Sequence, residues 1–141
     1  MVKEIVHDPI FLAVKSSPAT KEDIQVAYDL MDTLDYHHKT CVGMAANMIG
    51  VSKRIIAFVD QGDAKGVIGV MFNPEIISKS NPYETQEECL SLIGAPKKCK
   101  RYKTIRVTYY NFAMQKRSKT FTGLTAQIIQ HQIDHCDGIL I

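Results

Sequence analysis

Two stretches of the chain, one near each end, carry apolar residues at helical spacing. The first follows Thr20 and Asp23, which have the spacing of a capping box, and predicts a helix that runs to about His38. The apolar face of this helix consists of Ile24, Ala27, Leu30, Met31 and Leu34. The second stretch predicts a helix that begins near Thr122 and ends before Gly138, a residue type favoured at helix C-termini. Each helix is therefore expected to bury one face.

Between these helices the pattern changes to short runs that are typical of strands. The first run is RIIAFVD at residues 54–60, and the second, GVIGVMFNPEII at 66–77, is predicted to end as a strand at Asn73 and Pro74. Two later runs, TIRVTYYNF at 104–112 and SKTFT at 118–122, also predict strands. Strands placed between two helices indicate the α+β class.

Length and composition fit one globular domain over residues 1–141, with 45% hydrophobic residues to form its core. The formal net charge is only +2, and the single basic run is KKCKRYK at 97–103. This run is typical of a solvated loop or strand edge, with phosphate or ribosome binding as the alternative. No apolar run approaches the roughly 20 residues that span a bilayer, and the first 15 residues do not contain the uninterrupted apolar core that a signal peptide has. We therefore expect a cytoplasmic protein with neither DNA nor membrane as a partner.

The last predicted helix carries two histidines, His131 and His135, four residues apart on one face. Such a pair can bind one metal ion, although histidines in a core or at a helix end share this spacing. Cys89, which lies between predicted strands, is the candidate third ligand, with an inert buried thiol as the alternative. One thiolate and two imidazoles leave a fourth position open, as catalytic sites do, and suit zinc or iron equally.

Three motifs, in order along the chain, resemble those of the peptide deformylases, the metallohydrolases that remove the formyl group from N-terminal formyl-methionine. The family carries GxAAxQ, EGCLS and QHExDH. This chain has GMAANM from Gly43 to Met48, EECLS from Glu87 and QHQIDH from Gln130. The resemblance extends to the IVHDP start, the NPEI stretch and Arg101, so it covers essentially the whole chain. It implies antiparallel strands packed around a central metal-binding helix.

The resemblance also implies roles for individual residues. The metal ligands would be Cys89, His131 and His135. They would hold one divalent ion, iron or zinc, with nickel and cobalt as further candidates. The backbone N–H of Leu90 would stabilise the oxyanion of the formyl carbonyl, and Gly43 would pair with the backbone of an N-formyl-methionyl nascent peptide. The methionine side chain would contact three residues of the last helix: Leu124, Gln127 and Ile128.

Four positions depart from the family pattern. Gln132 replaces the glutamate that acts as general base, and an amide does not accept a proton at neutral pH. Met48 replaces the glutamine of the oxyanion hole, and a thioether donates no hydrogen bond. Glu88 replaces a glycine; it could narrow the cleft or substitute for the lost carboxylate, with a side chain that only faces solvent as the alternative. Gln127 is polar where the family is usually apolar, so the preference for methionine is open at that position.

The sequence therefore predicts a metal-dependent hydrolase of the deformylase type, with a rate reduced by Gln132 and Met48. The alternative is a catalytically inactive protein of the same fold that binds N-terminal methionine peptides or a ribosomal partner. The lost proton acceptor and the lost hydrogen-bond donor favour the binding protein, whereas the intact ligand set favours the hydrolase. A purely structural metal site is a poorer interpretation, because such sites usually have four protein ligands and only three are evident.

Overall fold

The chain folds around an antiparallel sheet, seen in a computed structural model that describes residues 1–61, 66–92 and 94–141. Five strands pair in chain order: β1 (Gly43–Ala45), β2 (Ile55–Val59), β3 (Ile68–Glu87), β4 (Lys97–Tyr110) and β5 (Lys116–Thr122). The α-helices of the described ranges are α1 (Pro9–Leu12), α2 (Ile24–Tyr36) and α3 (Gly123–Cys136), and a 3-10 turn (Lys21–Asp23) leads directly into α2. The prediction of an α+β fold with antiparallel strands packed on the histidine-bearing helix is confirmed.

The helices α2 and α3 pack on opposite faces of the sheet, because successive residues of a strand point to opposite sides. In β2, Ile55 and Ala57 pack with α2, whereas Ile56 and Phe58 pack with α3. The α3 side of the core also contains Met71, Ile105, Val107, Ala126, Ile129 and Ile133. This packing carries one face of α3, with its two histidines, into the interior.

The ends of α2 and α3 follow the predicted signals. Thr20 and Asp23 form the capping box, in which the Asp23 carboxylate accepts a hydrogen bond from the Thr20 backbone N–H at 2.8 Å. Helix α3 ends at Cys136, two residues before Gly138, whose φ of +75° lies in the left-handed region that glycine adopts readily. No helix in the described ranges is long and apolar enough to span a membrane.

The prediction that the second strand ends at Asn73 and Pro74 is wrong. Strand β3 continues to Glu87, and the register with β4 shifts at this point to form a bulge. The bulge accommodates a proline without a ladder hydrogen bond, and it accommodates Asn73 with a left-handed φ of +52°. The Asn73 side chain is fixed there because its amide accepts from and donates to the backbone of Ala19, at 2.7 and 3.0 Å.

Two other boundaries also differ from the prediction. Strand β4 begins at Lys97 instead of Thr104, so the basic run 97–103 belongs to a strand that pairs with the far end of β3. The N-terminal segment, expected to be extended, contains the single turn α1, whose first residues are capped by the Asp8 side chain. The long pairing of β3 with β4 matters for the site, because it places the end of β3 beside α3.

Candidate metal centre and its cavity

Three side chains with metal-binding atoms converge between α3 and the end of β3. His131 and His135 lie one turn apart on α3, and their Nε2 atoms are 3.0 Å apart. Cys89 lies two residues beyond the end of β3, and its Sγ and one ring nitrogen of each histidine all lie within 4.8 Å of one another. His135 is fully buried, and His131 is only 6% exposed. The structure thus brings together the three residues that the sequence suggested as ligands.

The surroundings of Cys89 favour its thiolate. Burial alone would raise the pKa of this thiol, but hydrogen bonds to His131 and His135 outweigh burial and lower the pKa to about 5. Burial would likewise lower the pKa of His131, but its hydrogen bonds to Cys89 and Glu87 outweigh burial and raise it. At neutral pH Cys89 is therefore a thiolate, the form of cysteine that binds metal ions.

A buried carboxylate, Glu87, orients the imidazole of His131. Its Oε1 accepts a hydrogen bond from Nδ1 of His131 at 2.7 Å, which leaves Nε2 of the ring to face the other two donor atoms. Carboxylates in this position fix the tautomer and the ring orientation of metal-binding histidines. Glu87 thus supports the cluster without belonging to it.

Two further side chains, Arg101 and Gln127, hold Glu87 in place. Arg101 donates to both carboxylate oxygens, at 2.7 Å from Nη2 and 3.0 Å from Nε, and it also pairs with Asp134 of α3 at 2.7 Å. Gln127 donates from Nε2 at 2.8 Å and accepts a hydrogen bond from the Tyr83 hydroxyl at 3.2 Å. Burial alone would raise the pKa of Glu87, but the hydrogen bonds from the imidazole, the guanidinium and the amide hold it well below its usual range.

Sequence reasoning did not assign Glu87 and Tyr83 to the site, and it used Arg101 only as part of the family resemblance. One signal could have found Glu87: it precedes Cys89 by two residues, and residues two apart in an extended segment point to the same side. The positions of Tyr83 and Arg101 depend on how β3 pairs with β4, where the two residues are register partners.

The donor set fits a divalent transition metal. Two nitrogen ligands of a tetrahedral zinc ion lie roughly 3.3 Å apart, since zinc–nitrogen bonds are about 2.05 Å long. The Nε2 atoms of His131 and His135 are already 3.0 Å apart. A thiolate with two imidazoles suits zinc or iron. Cys89, His131 and His135 could therefore hold one ion.

A cavity of about 510 Å³ adjoins the cluster, and Cys89 and His131 form part of its wall. Two chain segments, 40–43 and 86–90, and one face of α3 supply most of the remaining wall. All eight residues that the sequence associated with substrate or catalysis line it: Gly43, Met48, Glu88, Leu90, Leu124, Gln127, Ile128 and Gln132. The structure thus collects these residues around one space beside the metal-binding atoms.

Gly43 permits a close approach between β1 and α3. A Cβ atom at this position would lie 2.7 Å from Cγ2 of Ile128 and 2.8 Å from Nε2 of Gln132, so these side chains would have to shift to admit it. Gln132 is 5% exposed, and its Oε1 finds no hydrogen-bond partner among the described residues. A buried acceptor oxygen in the cavity wall is thus available to a ligand.

Four other residues of the cavity wall differ in burial and in the hydrogen bonds that they can offer a ligand. Met48 is buried, and its Sδ accepts a weak hydrogen bond from the backbone N–H of Ala45 at 3.5 Å, so its side chain offers the cavity no donor. The backbone N–H of Leu90 donates to no residue within the described ranges. Glu88 is exposed, and Leu124 is 53% exposed at the start of α3.

Three candidate protein ligands beside a cavity with room for a fourth match the arrangement of catalytic metal sites, whereas a structural metal site is normally closed. The comparison with known sequences gives the family. A sequence model described as "Polypeptide deformylase" matches residues 2–141. The chain belongs to this family, whose members are metal-dependent and act on N-formyl-methionyl peptides.

Individual relatives agree with the family match. The peptide deformylase of Clostridium beijerinckii is 52% identical over 141 residues, which cover all of both chains. Among solved structures, a peptide deformylase from Legionella pneumophila matches with a TM-score of 0.87 at 33% identity, over 99% of this chain and 83% of that one. A class I type b peptide deformylase from Acinetobacter baumannii with Met-Ala-Ser bound matches with a TM-score of 0.86 at 25% identity, over 99% and 96%. The resemblance inferred from three motifs is confirmed.

Proposed function

We propose that this protein is a metal-dependent hydrolase that removes the formyl group from N-formyl-methionyl peptides, at a rate reduced by Gln132 and Met48. The observation that carries the proposal is the convergence of Cys89, His131 and His135 beside a cavity lined by every residue expected to contact the substrate. Its substrates would be nascent chains in the cytoplasm, near the ribosome, and no DNA or membrane partner enters the proposal.

Cys89, His131 and His135 would hold one divalent ion, iron or zinc, with nickel and cobalt as further candidates. Such an ion, when bound, supplies Lewis acidity to the formyl carbonyl and to a water molecule. The protein contributes orientation: Glu87 fixes the ring of His131, and the low pKa of Cys89 keeps its sulfur ionised at neutral pH.

The peptide would lie along the free edge of β1. This strand is at the end of the sheet, and β2 is its strand partner in the described ranges. An extended peptide can add to such an edge through backbone hydrogen bonds, and Gly43 in β1 lines the cavity. The first side chain of the peptide would then contact Leu124, Gln127 and Ile128 on α3.

Two catalytic contributions would be weaker than in the rest of the family. The backbone N–H of Leu90 is an available donor for the developing oxyanion, whereas the thioether of Met48 donates nothing. Loss of one such donor lowers kcat by about 10²–10³-fold. The free Oε1 of Gln132 can accept a hydrogen bond and orient water, but it does not take up a proton at neutral pH. Loss of a general base lowers the rate by about 10²–10⁴-fold. Glu88 is the candidate substitute carboxylate on the same cavity wall.

The test is deformylation of formyl-Met-Ala-Ser by anaerobically purified protein with its metal content measured. The control is Cys89→Ala, which removes one ligand and reveals any contaminating enzyme. We expect slow turnover that depends on Cys89 and rises by at least about 10²-fold in the double variant Gln132→Glu, Met48→Gln. If the metal-loaded double variant shows no gain, the cleft itself does not support the reaction.

A second candidate function is a binding protein that recognises N-terminal methionine peptides, or a ribosomal partner, without hydrolysis. The observation that favours it is that the cavity retains its peptide-binding wall, while its buried Gln132 offers no proton acceptor. Binding of Met-Ala-Ser, with no formate released from the formylated peptide by metal-loaded protein, would establish this function in place of the first.

A further inference from the structure

One carboxylate of the cavity lining has no ion-pair partner among the described residues. Its described lining contains two carboxylates, Glu87 and Glu88, and neither a lysine nor an arginine. Glu87 is buried and ion-paired with Arg101 at 2.7 Å. Glu88 is exposed, and within the described ranges it forms neither an ion pair nor a side-chain hydrogen bond. The cavity wall therefore has a local negative charge at position 88.

Glu88 lies in the exposed part of the cavity wall. The metal-binding atoms are at the buried end, where His135 is fully inaccessible. Glu88 and Val42, by contrast, are exposed residues of the cavity lining. A peptide with its formyl group at the cluster would extend from this buried end towards solvent, past the exposed part of the lining.

We propose that Glu88 is a specificity-determining residue that selects peptides with lysine or arginine shortly after the first residue. The proposal rests on the function proposed above, in that the cavity is taken to bind N-terminal methionine peptides. An exposed ion pair strengthens binding by up to about fivefold, and a pair of like charges weakens it by a similar factor. The same interaction accelerates the encounter with a cationic peptide and is screened by salt.

This role differs from that of a substitute base in its kinetics. A group that transfers a proton acts on every substrate alike and changes kcat. A charge in the exposed part of the cavity wall changes kcat/KM according to the charge of the peptide. For a neutral peptide, kcat/KM stays the same. The two roles of Glu88 are therefore separable by one set of peptides.

The experiment compares formyl-Met-Lys-Ser, formyl-Met-Ala-Ser and formyl-Met-Glu-Ser at low salt. We expect kcat/KM of the wild type to be about five- to tenfold higher for the lysine peptide than for the glutamate peptide. This lysine-to-glutamate ratio should fall in 0.5 M salt, because the Debye length is then only roughly 4 Å. Glu88→Gln should bring the ratio to within about twofold of one, and Glu88→Lys should invert it. Metal content is measured for each variant.

Glu84→Gln is the matched control. Glu84 is an exposed carboxylate four residues earlier on β3, but it does not line this cavity, so its neutralisation should leave the ratio as in the wild type. The proposal is overturned if the wild type does not discriminate, if Glu88→Gln still discriminates, or if Glu84→Gln abolishes discrimination. A uniform fall of kcat on all three peptides in Glu88→Gln would also overturn it and assign proton transfer to this residue.

Binding separates this proposal from the hydrolase proposal. Dissociation constants of the deformylated peptides Met-Lys-Ser and Met-Glu-Ser, measured by calorimetry, require no turnover. Selective binding without formate release would retain the role of Glu88 and reject the hydrolase. Turnover with equal dissociation constants and equal kcat/KM would retain the hydrolase and reject the role of Glu88.

Discussion

Replacing Glu87 with glutamine tests the support of the metal centre directly, because the two side chains have nearly the same shape. In the wild type, Oε1 accepts from His131 and Arg101, and Oε2 accepts from Arg101 and Gln127. A glutamine can retain one of these oxygens, but its amino group would face donors on the other side. The variant therefore loses the charge and about half of the acceptor contacts.

The magnitude follows from the ion pair that is broken. Removing one partner of a buried pair usually destabilises a protein by about 3–5 kcal/mol. Arg101, 5% exposed, would keep its second partner, since Asp134 remains 2.7 Å away, so we expect the lower end, about 3 kcal/mol. Because His131 also loses its orienting anion, we expect metal affinity to fall by about 10–100-fold.

Two measurements check these values separately. Urea denaturation of the metal-free protein at pH 7 gives the loss of unfolding free energy, and competition with a chromogenic chelator gives the metal affinity. Glu84→Gln, an exposed change on the same strand, should alter stability by no more than about 0.5 kcal/mol. A loss of less than about 1 kcal/mol with unchanged metal affinity would refute the reasoning, because Arg101 and His131 would then be held without the carboxylate.

Three further predictions concern acid, thiol reactivity and close packing. The pKa of Glu87 is lower in the folded protein than its ordinary value of about 4.5. The contribution of Glu87 to stability is therefore complete above pH 4.5 and declines below it. Urea titrations should show that the difference in unfolding free energy between the wild type and Glu87→Gln narrows from pH 5 to pH 3. In metal-free protein, the rate at which iodoacetamide alkylates Cys89, followed by mass spectrometry, should reach its plateau near pH 6–7, because the pKa of this thiol is about 5. Zinc should protect Cys89 from alkylation. A rate that still rises at pH 9 would contradict this prediction. Gly43→Ala should destabilise the fold by about 1–3 kcal/mol and weaken peptide binding, since the new Cβ would lie 2.7 Å from Ile128 and 2.8 Å from Gln132; an unchanged melting temperature would contradict this.

The two long helices, α2 and α3, were predictable because their signals are local. The apolar spacing of α2, its Thr20–Asp23 capping box and the glycine beyond α3 are read within a few residues of sequence. The length of β3 was not predictable in this way. Asn73 and Pro74 carry the local signal of a strand end, and only the pairing with β4, together with the Asn73 contact to Ala19, turns them into a bulge.

The same contrast between local signals and long-range pairing holds for the residues of the site. His131 and His135 were found by helical spacing, and Cys89 was found because a third ligand was required. Glu87 was missed because, in the sequence, it is one of two adjacent glutamates, and its one local signal, the position two residues before Cys89, does not reveal its partners. What distinguishes it is Arg101, which becomes its partner only through the long-range pairing of β3 with β4.

The two adjacent glutamates also show why the departures from the family pattern differ in their consequences. Successive side chains of an extended segment point to opposite sides, so Glu87 and Cys89 face α3 and the metal-binding atoms, while Glu88 between them faces outward and is exposed. A carboxylate can replace glycine at position 88 without entering the ligand cluster. Gln132 and Met48 are buried in the cavity wall, so their side chains do not face solvent as Glu88 does. The exposed Glu88 is therefore expected to affect which peptides bind. The buried Gln132 and Met48 are expected to affect the rate at which a bound peptide is hydrolysed.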